Sequence, residues 1–292
     1  MNILPGTDMI SLASSIAASS HHPIINASIQ HFADGELAIK LGSNGNAESV
    51  CIVQSTCPPV NDRIIELVLL ADAVKRSGFK HISCLMPYAG YSRQDKLRQS
   101  HEPLSAQVIA NLIQSTSIQH LITVDPHHTS IQNMYHIPVD CISLTDVFAP
   151  ILDSRDYDVL VSPDYGGVLR AQQLAENLNL ELVTVKKYRT KANHCVAKDV
   201  DASVLGKRCL LVDDIMDTGG SLIEAAELLM KEGALSIHAC ITHAVLSNNA
   251  EQKIHKSPIT SIFTTNSIPR HFKSHKFTVV NLAPLLAKVM TD

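Results

Sequence analysis

Short apolar runs rich in branched side chains alternate with amphipathic stretches along this chain, and that alternation leaves few folds open to it. The runs are Val50–Gln54, His81–Met86, His120–Val124, Val159–Ser162, Glu181–Val185, Arg208–Val212 and Ile237–Thr242. Their length and composition suit strands. Between them Asp62–Ser77, Leu104–Ser115, Leu169–Asn179 and Ser221–Glu232 read as helices. Gly78 and Gly233 close two of these, where a helix C-terminus favours a left-handed residue. The expected class is α/β, with mainly parallel sheets flanked by helices on both faces.

The rhythm occurs twice. The first half runs to about Pro138 and the second opens near Asp158. Ser143–Asp158, with Pro150 and a polar Asp-Ser-Arg-Asp-Tyr-Asp stretch, reads as the junction. Two units of similar design are expected, 1–147 and 148–292, which suits a chain of 292 residues. In such sheets ligands sit beyond the carboxyl ends of the strands. The residues that follow each run are therefore the ones to read for chemistry.

Composition removes several classes. Hydrophobic residues make up 45% and charged residues 18%, which is too apolar for a disordered chain. The net charge of −4 argues against a broad basic face, so no nucleic-acid partner is expected. Any anionic ligand must be held by local groups. Seven cysteines, an odd number without a C-x-x-C pair, read as buried free thiols in a reducing compartment. Fifteen histidines include the adjacent pairs His21-His22 and His127-His128, but none falls in a zinc-binding spacing. Met1–Ser20 has no basic leader, and no apolar run approaches the roughly 20 residues that span a bilayer. A cytoplasmic protein without a membrane partner is expected.

The sharpest local signal is Cys209-Leu-Leu-Val-Asp213-Asp214-Ile-Met-Asp217-Thr218-Gly219-Gly220-Ser221, with a helix after it. A buried strand ends in two carboxylates, and a glycine turn then opens the helix. Free backbone N–H groups, two hydroxyls and the positive end of the helix dipole suit a phosphate monoester. Paired carboxylates repel phosphate but accept hydrogen bonds from vicinal sugar hydroxyls, or hold Mg²⁺ through water. The site reads as one for a phosphorylated sugar. The bland alternative is Asp217-Thr218 capping the helix beside an ordinary turn.

This segment resembles the 5-phosphoribosyl 1-diphosphate (PRPP) signature of the type I phosphoribosyltransferase fold. Further segments narrow the resemblance. Phe32-Ala33-Asp34-Gly35-Glu36, Tyr88-Ala89-Gly90-Tyr91-Ser92-Arg93-Gln94-Asp95, Asp125-Pro126-His127, Ser162-Pro163-Asp164-Tyr165-Gly166-Gly167 and Thr265-Asn266-Ser267-Ile268 stand in the order and spacing of the ribose-phosphate diphosphokinases. The chain is identified by these as similar to that family from about residue 30 to 286. The resemblance implies two tandem phosphoribosyltransferase-like domains, the first on the ATP side and the second on the ribose 5-phosphate side.

It also implies roles. Phe32, with Asp34 and Glu36, would contact adenine on a loop that reaches a neighbouring subunit, so a homo-oligomer with the ATP site near an interface is implied. Arg93 and Gln94 would bind the polyphosphate of ATP. His127 would ligate the magnesium ion carried by ATP, although Mg²⁺ prefers oxygen donors. Asp164 would hold a metal over a diphosphate cradled by Gly166 and Gly167. Asp213 and Asp214 would orient the sugar, and Asp217, Thr218, Gly219, Gly220 and Ser221 would grip its 5-phosphate. Lys187 and Arg189 would close over the β-phosphate from a mobile catalytic loop, which here reads Lys-Tyr-Arg-Thr-Lys-Ala-Asn, less arginine-rich than in many relatives.

The implied reaction moves the diphosphoryl group of Mg-ATP to the 1-hydroxyl of ribose 5-phosphate, giving PRPP and AMP, with Mg²⁺ as cofactor. Two alternatives share parts of the pattern. A PRPP-using phosphoribosyltransferase would share the Asp213–Ser221 turn but not the Phe32–Glu36 and Arg93–Asp95 segments. A non-catalytic regulatory subunit would not need His127, Asp164, Lys187 and Arg189 intact. A PRPP-sensing transcription regulator would need a DNA-binding domain that Met1–Ile29 is too short to supply.

Overall fold

The computed structural model describes residues 1–43, 47–97, 99–191 and 194–290; the side chains of Thr129 and of residues 187–198 also lie outside what it describes. The chain divides into two units, each with its own sheet.

The first unit contains β1 (Asn2–Pro5), α1 (Ile10–Ser20), a hairpin of β2 (Ala27–His31) and β3 (Leu37–Leu41), β4 (Ser49–Val53), α2 (Val60–Arg76), β5 (His81–Met86), α3 (Ser105–Gln114), β6 (His120–Val124) and β7 (Val139–Ile142). Its main sheet runs β1-β4-β5-β6-β7, with every pair parallel. Val50, Ile52, Cys84 and Leu121 fill its core with Leu67, Leu70 and Val74 of α2. Parallel strands need crossover helices, and these cover the sheet and bury nearly every strand residue, as the continuous apolar runs predict.

The second unit contains α4 (Leu144–Phe148), β8 (Val159–Ser162), α5 (Val168–Leu178), β9 (Glu181–Lys191), β10 (His194–Val200), β11 (Arg208–Met216), α6 (Gly220–Lys231), β12 (Ser236–Ala244), α7 (Ala250–Lys256), β13 (Ser261–Thr265) and β14 (Phe277–Val280). The sheet order is β10-β9-β8-β11-β12-β13-β14, parallel except for the antiparallel β9–β10 pair. Val159, Val161, Leu211, Ile237 and Ile241 meet Leu222, Ala225 and Leu229 of α6 in its core. Gly78 (φ 88°) and Gly233 (φ 86°) do follow α2 and α6 in the left-handed region, whereas Asn179 (φ 55°) ends α5.

The division differs from one at 147/148. The units part between Ile142 and Ser143 because Ser143 starts α4 with a reciprocal cap: its Oγ accepts from Asp146 N at 3.1 Å and its own N donates to Asp146 Oδ2 at 2.9 Å. α4 then lies against α5. Residues 267–269 and the segment from Asn281 return to the first unit, where α8 (Ala283–Val289) meets α1. Leu286 of α8 and Ile16 of α1 are fully buried. Phe148 of α4 is also fully buried and is among the largest such side chains. Phe148→Ala is expected to cost about 3–5 kcal/mol, through lost transfer energy and a residual cavity, read as a lower urea midpoint.

Candidate active site

Strands β8 and β11 are parallel neighbours, with Cys209 opposite Val159 and Leu211 opposite Val161. Their carboxyl ends therefore deliver Asp164, Gly166 and Gly167, and Asp213 to Ser221, to one edge of the second sheet. Asp214 is nearly inaccessible and Asp213 half-buried. Asp213 Oδ1 accepts from Asp214 N at 3.0 Å. Burial, and after it the negative charge of Asp214 and Asp164, push the Asp213 carboxyl well above the usual carboxylate range; the guanidinium of Arg170 opposes this only in part.

Arg170 is a residue that sequence reading missed. Its Nη1 lies 3.5 Å from Asp214 Oδ1. It sits in the first turn of α5, where a cation is disfavoured by the helix dipole. That misplacement was the available signal that it serves a partner elsewhere. Asp164 has a second part as well: its Oδ1 accepts from Gly167 N at 3.1 Å, and its backbone O accepts from Ser162 Oγ at 2.7 Å. A Cβ on Gly167 would approach Ser162 Oγ to 3.1 Å, so the turn is built tightly around glycine.

The β11–α6 turn is arranged for an anion. Gly219 holds φ 74°, a conformation L side chains rarely adopt, and no side chain caps α6. No acidic residue occupies the first turn of the helix. The amides of that turn and the hydroxyls of exposed Thr218 and Ser221 are left for a ligand. The residue at the N-cap position is Gly219 itself, which has no side chain to cap the helix.

In the first unit Phe32 to Glu36 form the turn of the β2–β3 hairpin. Phe32 N donates to Glu36 O at 2.8 Å, Gly35 N to Phe32 O at 3.0 Å, and Glu36 N to Asp34 Oδ1 at 3.1 Å. The turn is a hairpin, as its Asp-Gly pair allows, but Phe32 is no core residue: it is 59% exposed. Arg93 and Gln94 line a cleft of about 540 Å³ after β5, together with Lys96. Gln94 is fixed at its base, accepting from Ser105 Oγ through Oε1 at 2.7 Å. Phe32 does not line that cleft. His127 follows β6 and is half-buried, beyond Asp125, whose φ of 39° turns the chain sharply after the strand. Lys187 and Arg189 fall in β9, opposite Ala197 and Cys195 of β10, and so on a β-ribbon rather than an irregular loop. Their side chains lie outside the described residues.

Among the described residues no three His, Cys, Asp or Glu side chains stand together as a ligand set for a metal ion. A site with one or two carboxylates and no full protein cage is what suits Mg²⁺, which takes its remaining ligands from water and phosphate. The carboxylates of Asp164, Asp213 and Asp214, close enough to raise the Asp213 carboxyl, are a set of oxygen donors that fits a hard divalent cation.

Two parallel-sheet units, one ending in a carboxylate pair and an uncapped glycine turn, define a phosphoribosyltransferase-type protein. Residues 1–116 match the N-terminal domain of ribose phosphate pyrophosphokinase and residues 133–276 match the phosphoribosyl transferase domain. The chain is 37% identical over 99% of its length to the ribose-phosphate pyrophosphokinase of Caldanaerobacter subterraneus subsp. tengcongensis, covering 93% of that protein. It is 36% identical to that of Campylobacter jejuni, covering 99% of this chain and 94% of the relative. It superposes on the crystal structure of phosphoribosylpyrophosphate synthetase from Mycobacterium smegmatis with a TM-score of 0.92, at 30% identity, covering 99% and 97% of the two chains. The chain belongs to the ribose-phosphate pyrophosphokinase family.

Proposed function

We infer that the chain transfers the diphosphoryl group of ATP to the 1-hydroxyl of ribose 5-phosphate, releasing AMP and forming PRPP. The observation that carries the reading is the β11–α6 turn, an uncapped helix start beside a carboxylate pair, in a chain that resembles its relatives end to end. The amides and hydroxyls of Asp217–Ser221 bind the 5-phosphate. Asp213 and Asp214 accept the 2- and 3-hydroxyls and so aim the anomeric oxygen. Arg170, with Nη1 3.5 Å from Asp214 Oδ1, positions that carboxylate.

The first unit receives the nucleotide. Arg93 and Gln94 bind the polyphosphate, and Phe32 stacks on adenine. An aromatic ring left 59% exposed on a hairpin tip supports the reading in which Phe32, Asp34 and Glu36 complete the site of a second copy, hence a homo-oligomer. His127 and Asp164 serve the metal that ATP carries, and Gly166 and Gly167 line the diphosphate. Mg²⁺, when bound, neutralises charge on the transferred group. Lys187 and Arg189 add cationic donors to the equatorial oxygens of the β-phosphate. The attack is in line, needs no covalent enzyme intermediate, and depends on alignment and exclusion of water.

No helix among the described residues is long and apolar enough to cross a membrane. The test is product analysis on the protein purified alone. AMP should appear from ATP and Mg²⁺ only when ribose 5-phosphate is present, in equal amounts with PRPP. No AMP under those conditions, or AMP independent of the sugar phosphate, would overturn the assignment.

A further inference from the structure

Arg93 and Gln94 line their cleft from the irregular segment after β5, yet the backbone that leads to them is held at nearly every step. β4 and β5 are parallel neighbours with Ile52 opposite Cys84, so both chains leave the first sheet at one edge. The ladder continues past the strands: Gln54 N donates to Leu85 O and Thr56 N to Tyr88 O, each at 2.9 Å. Two hydroxyls then take over. Ser55 Oγ accepts from Tyr88 N at 3.1 Å and donates at 2.6 Å to the carbonyl of Ser267, a residue of the same unit. Thr56 Oγ1 accepts from Gly90 N at 2.6 Å and donates to Tyr88 O at 3.2 Å. A Cβ on Gly90 would stand 2.6 Å from Thr56 O, so the two loops lie backbone against backbone.

Hydroxyls at the carboxyl edge of a parallel sheet could serve a substrate. Ser55 and Thr56 are each 1% exposed, and each hydroxyl both donates and accepts within the protein, so they serve the chain instead. The hold extends to Gln94. Tyr91 has φ 64°, a conformation that a bulky side chain adopts only where its surroundings impose it. Its hydroxyl donates to Asn61 Oδ1 in the first turn of α2 at 2.6 Å, and its carbonyl accepts from Gln94 N at 2.9 Å. Gln94 O in turn accepts from Ala106 N of α3 at 3.1 Å.

We propose that Thr56, seconded by Tyr91, is a positioning residue for nucleotide binding: its hydroxyl fixes the backbone at Gly90 and so places the Arg93 guanidinium and the Gln94 amide for the polyphosphate. This rests on reading their cleft as the polyphosphate site. A valine at position 56 keeps the shape of threonine and the backbone bonds around it, but leaves the buried Gly90 N–H without its acceptor. The segment must shift to recover one. A guanidinium fork binds phosphate oxygens through two parallel bonds and loses that fit when its base moves.

Calorimetric binding of a non-hydrolysable ATP analogue and of ribose 5-phosphate, each measured well below the Tm of the variant, tests it on the intact protein. Thr56→Val should weaken the analogue about tenfold, the scale of one hydrogen bond to a buried amide, and leave ribose 5-phosphate unchanged. Thr56→Ser keeps the hydroxyl and should bind the analogue as the parent does. In an Arg93→Ala background Thr56→Val should cost clearly less than it does alone, because part of what it places is gone. A purely structural role would lower the Tm of Thr56→Val and leave its affinities at the parent's values, which overturns the proposal. An effect that adds in full to that of Arg93→Ala overturns it too, as does a Thr56→Ser variant as weak as Thr56→Val. Should Thr56→Val not fold, Tyr91→Phe at a half-buried side chain carries the test, and a parent-like affinity for the analogue there is equally fatal. The two readings fail separately. Arg93→Ala binding the analogue as tightly as the parent overturns the cleft as the polyphosphate site and the positioning with it; a weakened Arg93→Ala beside a parent-like Thr56→Val overturns the positioning alone.

Discussion

Lys187→Ala is expected to lower kcat by about 10²–10³-fold while the affinity for ATP changes little, the size of effect seen when one donor to a transition-state oxyanion is removed. The split follows from where charge develops. In the proposed reading the polyphosphate of bound ATP is held by Arg93 and Gln94 of the first unit, and the adenine by Phe32. Lys187 instead stands on β9, and past Thr184 that strand pairs with β10 and no longer with β8, whose register ends at Ser162↔Thr184. A two-stranded ribbon that runs on beyond its sheet can bring a cation to the ligand edge without being part of the nucleotide pocket. Its contact would be made to the β-phosphorus oxygens as they gain charge, so kcat and kcat/KM should fall together. Steady-state rates with both substrates varied, and equilibrium binding of an ATP analogue, read the two quantities separately. An unchanged kcat, or a loss confined to ATP binding, sinks the assignment. Lys187→Arg should restore part of the rate, because charge is retained while reach and geometry change.

Strands buried on both faces were the most legible part of the fold. His81–Met86, His120–Val124 and Val159–Ser162 are strands over the same residues that their apolar runs define. What escaped lacks that pattern for a physical reason. β14 has exposed Thr278 and Val279, since an edge strand buries less of itself. β10, His-Cys-Val-Ala-Lys-Asp-Val, has only a three-residue apolar stretch because it is an edge strand paired with the polar end of β9, although Val200 at its end packs against the core. α8 belongs to the first unit through contacts with α1, nearly the whole chain away in sequence, and no local signal encodes such a partner. In the site, the glycine turn and the carboxylates were legible because backbone geometry and charge are local properties. The Arg170–Asp214 pair was not, because it arises where a helix and a strand are packed together.

Asp213→Asn should stabilise the ligand-free protein at pH 8 and weaken ribose 5-phosphate binding by about 10–100-fold. Asp213 is half-buried beside Asp214 and Asp164, and its carboxyl is raised well above the ordinary range. In the unfolded chain it titrates near 4. Between that value and its raised folded value the native state binds more protons than the unfolded state, so stability falls as pH rises through the window. Above the window the folded protein must carry an ionised group that its surroundings disfavour. Asparagine removes this cost and can keep the acceptor for Asp214 N, now made at 3.0 Å. The Tm advantage of the variant should thus be largest at pH 8 and should close near pH 4, where both side chains are neutral. Binding moves the other way, because a hydrogen bond to a carboxylate contributes about 1.5–3 kcal/mol and an amide contributes less. Ribose 5-phosphate should accordingly raise the Tm of the parent protein and hardly that of the variant. Thermal scans from pH 4 to 8, with and without the sugar phosphate, measure both halves. A variant less stable than its parent at pH 8, or a Tm difference independent of pH, would show that the carboxylate pair is not under the electrostatic strain that a ligand with hydroxyl donors or a divalent cation relieves.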